Sequence, residues 1–124
     1  RFSVITTVEG NVSRTYRRLL QNPIAQRKMK SVRALNIPVA DLREEPEATR
    51  TYLENVCRQC VEEDGADTVI LGCLGLAQYG ETVEQSCGAK VIDPAFCALA
   101  WAELAVRLDL RPSRRSVAPY GGTL

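Results

Sequence analysis

The chain has 124 residues, 45% hydrophobic and 25% charged, which is the balance of a globular domain with a single core. Its formal net charge of +1 gives no electrostatic reason to expect nucleic acid or an anionic membrane as a partner. The apolar runs are far shorter than a spanning helix, and the opening residues show no signal-peptide pattern. We therefore expect no membrane association.

Cysteine and histidine usage narrows the chemistry further. The five cysteines are odd in number and follow no regular framework, which favours a reducing, cytoplasmic setting over a disulfide-stapled secreted domain. The chain contains no histidine. It therefore holds no Ser-His or Cys-His dyad and no mixed Cys/His zinc site. We predict no metal site.

Four short runs of β-formers recur along the chain, at residues 2–7, within 31–39, at 67–72 and at 89–94. The run Val69-Ile70-Leu71 is apolar throughout, as in strands covered on both faces. The first run opens the chain in mid-strand, so we expect the sequence to be part of something longer.

Helical patterns separate these runs, at residues 11–20, 45–63, 76–86 and 94–108. Strands that alternate with helices predict parallel strands joined by right-handed crossovers. The predicted fold is α/β, a four-stranded and mainly parallel sheet flanked by helices over residues 1–110. The remaining residues, 111–124, are basic and contain proline and glycine, which predicts an irregular tail.

Ligands bind outside the carboxyl ends of the strands in such sheets, and Cys73 follows the third run there. Gly72 and Gly75 flank it and permit close approach of the backbone to a ligand. A helix that begins near Leu74 would favour the thiolate form of Cys73. The alternative is a buried structural cysteine.

The other residues at strand ends allow simpler interpretations. The hydroxyls of Thr6 and Thr7 either bind a polar ligand or reflect β-propensity and helix capping. Asp93 is best interpreted as a cap for the helix that starts at Pro94. One glycine, Gly10, is too little for a phosphate-binding loop.

The remaining cysteines are predicted to pack in the core. Cys57 and Cys60 form a CxxC pair, but they lie in mid-helix on its apolar stripe, with no second pair to complete a zinc site. Cys87 and Cys97 lie in or beside apolar helical faces and receive the same interpretation.

Five segments together resemble the second half of hydantoin and allantoin racemases, in the aspartate/glutamate racemase superfamily. They are, in order, "FSVITT", "VRALNIPV", "EEDGADTVILGCLG", "AKVIDP" and "LDLRPSRRSVAPY". The resemblance implies one lobe of a two-lobed fold, with no cofactor and with a hydantoin or allantoin type of substrate.

The resemblance also implies roles for individual residues. Cys73 matches the second-lobe cysteine of a pair of opposed acid/base thiols, one of which removes a proton that the other returns. Gly72, Leu74 and Gly75 match the loop whose N–H groups hold the substrate carbonyls, and Thr6 and Thr7 match threonines that line the cleft.

Two departures from the family pattern lead to alternatives. No other cysteine is placed to oppose Cys73, so we expect the chain alone to be inactive and to need a missing first lobe. As a lobe alone, we expect it to associate with itself through the apolar helix 94–108. Leu74 stands where relatives often have a small residue, which narrows the pocket or changes substrate choice. The alternatives are a single-cysteine decarboxylase of the arylmalonate type and a non-catalytic ligand-binding fragment.

Overall fold

The computed structural model of the chain describes residues 1–111, so nearly all of the predicted tail lies outside the described residues. The strands are β1 (Phe2–Thr6), β2 (Met29–Ala34), β3 (Thr68–Leu71) and β4 (Lys90–Ile92). The helices are α1 (Val12–Leu19), α2 (Pro23–Lys28), α3 (Pro46–Glu62), α4 (Gly80–Cys87) and α5 (Pro94–Arg107). Short 3-10 helices span Glu9–Asn11, Asp41–Arg43 and Leu74–Tyr79.

The four strands form one sheet in the order β2-β1-β3-β4, and all three pairings are parallel. The predicted α/β class and parallel sheet are therefore confirmed. β1 and β3 are central neighbours, with Ile5 beside Leu71. This pairing brings the end of β1 and the residues that follow β3 to the same edge.

One face of the sheet carries the hydrophobic core, under α3 and α4. Pro46 starts α3 in its first turn, where the missing N–H costs no hydrogen bond. The apolar stripe of α3 then faces the sheet, with Leu53, Cys57 and Cys60 at 0% exposure. Further fully buried members of this core include Ile5, Leu42, Val69, Leu71, Leu76 and Val83.

The other face is only partly covered, contrary to the expectation of two covered faces. α1 packs beside β2, yet none of its residues is buried, and its Tyr16 is exposed. Ile70, at the centre of β3, is only half-buried.

The structure contains one helix that was not predicted, and two predicted elements have clearly different bounds. α2 was not predicted, although Asn22 caps it, its Oδ1 accepting from Ile24 N over 2.8 Å. β2 begins at Met29, two residues before the predicted run. The predicted helix 76–86 divides into the 3-10 helix Leu74–Tyr79 and α4, and Gly88, with φ +71°, ends α4.

α5 packs against the 3-10 helix Leu74–Tyr79, and most of its surface is exposed. The prediction that Cys97 packs in the core is wrong, because α5 lies beside the lobe instead of over the sheet. Phe96 and Trp101 are each 65% exposed, so α5 presents the apolar surface that its sequence predicts for an isolated lobe. Within residues 1–111, no helix combines the length and hydropathy needed to cross a membrane.

A polar network ties β1 and β2 to the end of α3. The hydroxyls of Ser3 and Ser31 lie 2.8 Å apart, and Ser31 Oγ donates to Asp64 Oδ2 over 2.5 Å. Arg33 Nε donates to the same carboxylate oxygen over 2.7 Å. The hydrogen bond from Arg33 holds the pKa of Asp64 below its usual value, with help from Ser31 and against the effect of burial.

We predict that Asp64→Asn destabilises the chain by about 1–3 kcal/mol at neutral pH, because the charged Arg33 loses the more buried of its two carboxylate partners and keeps only Glu63. The pKa of Asp64 is lower in the folded state than in the unfolded state. Its contribution is thus complete above the unfolded pKa of about 3.9, and it is lost as the pH falls through the folded pKa. Urea unfolding, repeated from neutral pH down through the folded pKa of Asp64, measures the loss of stability and its dependence on pH.

Glu103→Gln is the matched control, since this exposed carboxylate on α5 forms no side-chain hydrogen bond within residues 1–111. An equal loss of stability in both variants would show that the network around Asp64 has no special role.

Candidate active site

The carboxyl ends of β1 and β3 form the centre of the candidate site. Gly72 N donates to Ile5 O over 2.7 Å and so extends the pairing of these two strands past β3. A Cβ on Gly72 would lie 2.8 Å from Ile5 O and 3.1 Å from Val4 Cγ1. Gly72 is therefore required by the close approach of two backbones.

Cys73 follows in extended conformation, with φ −140° and ψ 133°, and forms the N-cap of the 3-10 helix Leu74–Tyr79. Its carbonyl oxygen accepts from Leu76 N over 3.0 Å. The 3-10 helix begins at Leu74, two residues before the predicted helix 76–86. The thiol is half-buried and packs against the edge of the core, so Cys73 is neither fully buried nor fully exposed.

Gly75 adjoins the thiol of Cys73. A Cβ at position 75 would lie 3.6 Å from Cys73 Sγ and 2.9 Å from Leu42 Cδ1. Leu74, between the two, is 67% exposed. The loop thus places one thiol and one apolar side chain at the edge of the sheet, with glycine on either side of the pair.

Thr6 and Thr7 are both buried, and their carbonyl oxygens accept from Leu35 N and Ile37 N at 2.8 and 3.0 Å. Capping does not explain these threonines, because no side chain caps the 3-10 helix that follows them. The predicted cap at Asp93 is confirmed, since Asp93 Oδ1 accepts from Ala95 N over 2.8 Å.

An open cleft of about 660 Å³ lies between α1 and the less covered face of the sheet. Thr6, Gly72 and Leu74 line it at the edge of the sheet. Cys73 packs against the edge of the core and is not among the residues that line this cleft. The structure brings the predicted residues to one edge, and of these Thr6, Gly72 and Leu74 line the cleft.

The cleft is positively charged. Arg14 and Arg18, one helical turn apart on α1, line it, and no acidic residue does. Neither arginine forms an ion pair within residues 1–111. Neither arginine is predicted as a site residue from the sequence, although their i,i+4 spacing on a helix was a usable signal. The described residues contain no group of three His, Cys, Asp or Glu side chains able to hold a metal ion.

The two fully buried cysteines of the core, Cys57 and Cys60, have raised pKa values. Burial raises the pKa of Cys60 to about 11, and burial followed by the neighbouring Cys87 raises the pKa of Cys57. Cys57 Sγ lies 2.7 Å from Cys87 Sγ. The predictions that Cys57, Cys60 and Cys87 pack in or against the core are confirmed.

A protein-family model described as Asp/Glu/Hydantoin racemase matches residues 1–102 of the chain. The chain belongs to this family. The resemblance seen in the sequence is thereby confirmed, and the third strand with its glycine-flanked cysteine falls inside the matched region.

Individual relatives agree with the family assignment. The hydantoin racemase of Rhizobium meliloti is 34% identical over 97% of the chain and 49% of its own length. That of Pseudomonas sp. (strain NS671) is 29% identical over 97% of the chain and 48% of its own length. The chain thus spans about half the length of the curated relatives it matches.

Solved structures give the same result for the fold. The crystal structure of allantoin racemase from Pseudomonas fluorescens matches with a TM-score of 0.85 and 33% identity, over 99% of the chain and 53% of that protein. Allantoin racemase from Klebsiella pneumoniae matches with a TM-score of 0.83 and 26% identity, over 94% of the chain and 47% of that protein. The fold is therefore shared with about half of a racemase of this family.

We predict that Gly72→Ala destabilises the chain by about 1–3 kcal/mol, because the new Cβ would collide with backbone that cannot rotate away. Urea unfolding measures the loss. Gly10→Ala is the control, since a Cβ on Gly10 meets nothing within 4 Å. Equal stability of the two variants would contradict the close approach of β1 to the Cys73 loop.

Proposed function

We propose that the chain is the second lobe of a cofactor-independent racemase for 5-substituted hydantoins or allantoin, with Cys73 as one of its two acid/base thiols. The observation that carries the proposal is the position of Cys73, half-buried at the carboxyl end of a central parallel strand and at the start of a helix. Membership of the racemase family makes proton transfer at a carbon centre the reaction class.

The chemistry needs a base and an oxyanion site. The C–H of a hydantoin ring lies next to a carbonyl, so removal of its proton by a thiolate gives an enolate. Backbone N–H groups that point at the enolate oxygen stabilise it, typically by about 2.7–4 kcal/mol for each donor. The opposed thiol then returns a proton to the other face of the carbon, and the configuration is inverted.

The available donors follow from the start of the 3-10 helix. The first N–H groups of a helix have no partner within it, which makes those of Leu74 and Gly75 the candidates. The N–H of Gly72 is already bonded to Ile5 O. We therefore assign Gly72 the role of fixing the loop, and not that of a donor to substrate.

The second thiol must come from outside the described residues. Cys57 and Cys60 are fully buried, and Cys87 contacts Cys57. Cys97 is exposed on α5, as are neighbouring apolar side chains such as Phe96. The exposed apolar surface of α5 and the open cleft beside α1 support a covering first lobe.

We expect the 124-residue chain alone to leave an enantiopure hydantoin unchanged. Joined to a first lobe, from its own upstream sequence or from the first half of a hydantoin racemase relative, it should racemise the substrate. Cys73→Ser in the joined protein should lower the rate by at least about 10³-fold, because a hydroxyl is a far weaker base. Decay of optical rotation and deuterium uptake from D₂O measure the reaction, and Cys97→Ser is the matched control.

Racemisation by the chain alone would contradict the need for a second thiol. Full activity of the Cys73→Ser variant would exclude Cys73 as an acid/base. Release of CO₂ from an arylmalonate by the joined protein, without racemisation of hydantoins, would identify a single-thiol decarboxylase instead.

The proposal also predicts the order in which the thiols react with iodoacetamide at neutral pH. Cys57 and Cys60 should be protected by burial until the chain unfolds. Cys73, at a helix start, should react faster than Cys97, which is more exposed but lies inside α5. Peptide mass mapping at early times gives the order. If Cys97 reacted first, exposure alone would govern reactivity and the assignment of Cys73 as a base would lose its support.

A further inference from the structure

Cys57 and Cys87 form a thiol pair that the proposed reaction does not use. Cys57 lies in the middle of α3 and Cys87 is the last residue of α4, so the contact joins two helices that pack side by side. Their sulfur atoms are 2.7 Å apart, closer than ordinary packing brings two sulfurs, and both thiols are free.

We propose that Cys57 and Cys87 are a reversible oxidation site, which closes to a disulfide under a low-molecular-weight disulfide oxidant such as oxidised glutathione. Formation of the bond requires the two sulfurs to approach by only about 0.7 Å more. The segment enclosed by the bond contains β3, the Cys73 loop and α4.

Exposure sets the order of the two steps. Cys87 is half-buried and Cys57 is fully buried, so the thiolate of Cys87 attacks the oxidant first. A mixed disulfide forms at Cys87 and one equivalent of the small thiol leaves. Cys57 Sγ then attacks Cys87 Sγ, the bond from Cys87 to the small thiol breaks, and the departing small thiolate takes up the Cys57 proton. Two protein thiols are oxidised and one molecule of oxidant is reduced to two thiols.

Cys60 is not the partner, although it stands three residues from Cys57. A bond between Cys57 and Cys60 would have to form within one turn of α3, whereas the thiol of Cys60 lies against the hydroxyls of Ser3 and Ser31. The sequence motif CxxC therefore contributes one cysteine to the pair, and the second comes from the end of a different helix.

The bond would stabilise the lobe by restricting the unfolded chain, in which residues 57 and 87 are far apart. Its two sulfurs already lie together in the folded state, so little rearrangement opposes the gain. Cys73 is not consumed, because its thiol is on a separate part of the core edge, beside Gly75.

The test uses the chain with Cys97→Ser, which removes the exposed thiol able to link two molecules and leaves four cysteines. Oxidised glutathione should remove the mass of two hydrogens and give one linked peptide pair, Cys57 with Cys87. The unfolding midpoint should rise by about 5–15 °C, and a reductant should reverse the rise.

Adding Cys87→Ser should abolish both the link and the rise, with Cys57 left in the core. Adding Cys73→Ser should preserve both and so serves as the matched control. Four free thiols after oxidation, a link that joins Cys60 or Cys73, or a rise that persists in the Cys87→Ser variant would each overturn the proposal.

Discussion

The close approach of β1 to the residue after β3 is the constraint on which the candidate site depends. The hydrogen bond from Gly72 N to Ile5 O holds the end of β3 against β1 one residue beyond the regular strand. It is possible only because position 72 has no side chain. The next residue is thereby fixed at the edge of the sheet, and this residue is Cys73. The chain can turn there into a 3-10 helix, which leaves the thiol half-buried beside the first N–H groups of that helix.

The two faces of the sheet differ in how far helices cover them. Under α3 and α4 the core is closed, and its largest side chains are fully buried. On the opposite face α1 buries none of its own residues and turns Arg14 and Arg18 toward an open cleft. α5 leaves the sheet with Trp101 and Phe96 exposed. One closed face and one open face accord with the proposal that the chain is one lobe of a larger protein, as do the half-length matches to racemases.

Much of the fold follows from local signals in the sequence. Pro46 and the buried stripe of α3 predict that helix almost to the residue, because a first-turn proline and an i, i+3/i+4 pattern both report on helical geometry. Asp93 and Pro94 predict the start of α5 for the same reason. What the sequence does not give is the direction of a helix in space. The apolar composition of α5 suggested a packed helix with Cys97 inside it, yet α5 extends beside the lobe and leaves that thiol exposed.

The candidate site shows the same division between local and long-range information. The position of Cys73 at a strand end could be predicted, since Gly72 and the apolar run before it mark that end. The surroundings of Cys73 depend on the register between strands that are far apart in sequence. The same register determines that Gly72 N–H donates to Ile5 O.

The cysteines also show the importance of long-range contacts, because this one residue type occupies several environments in one small lobe. Cys60 lies against two serine hydroxyls, and Cys57 contacts Cys87. Cys97 is exposed to solvent, and Cys73 is the N-cap of a 3-10 helix. A thiol becomes a base, a filler of the core or half of a bond according to its burial and its nearest neighbour. The sequence establishes that there are five such thiols, and the fold places them in different environments. Because the proposed bond between Cys57 and Cys87 would enclose the segment of chain that carries Cys73, it would link the stability of the candidate site to the redox state of two other thiols.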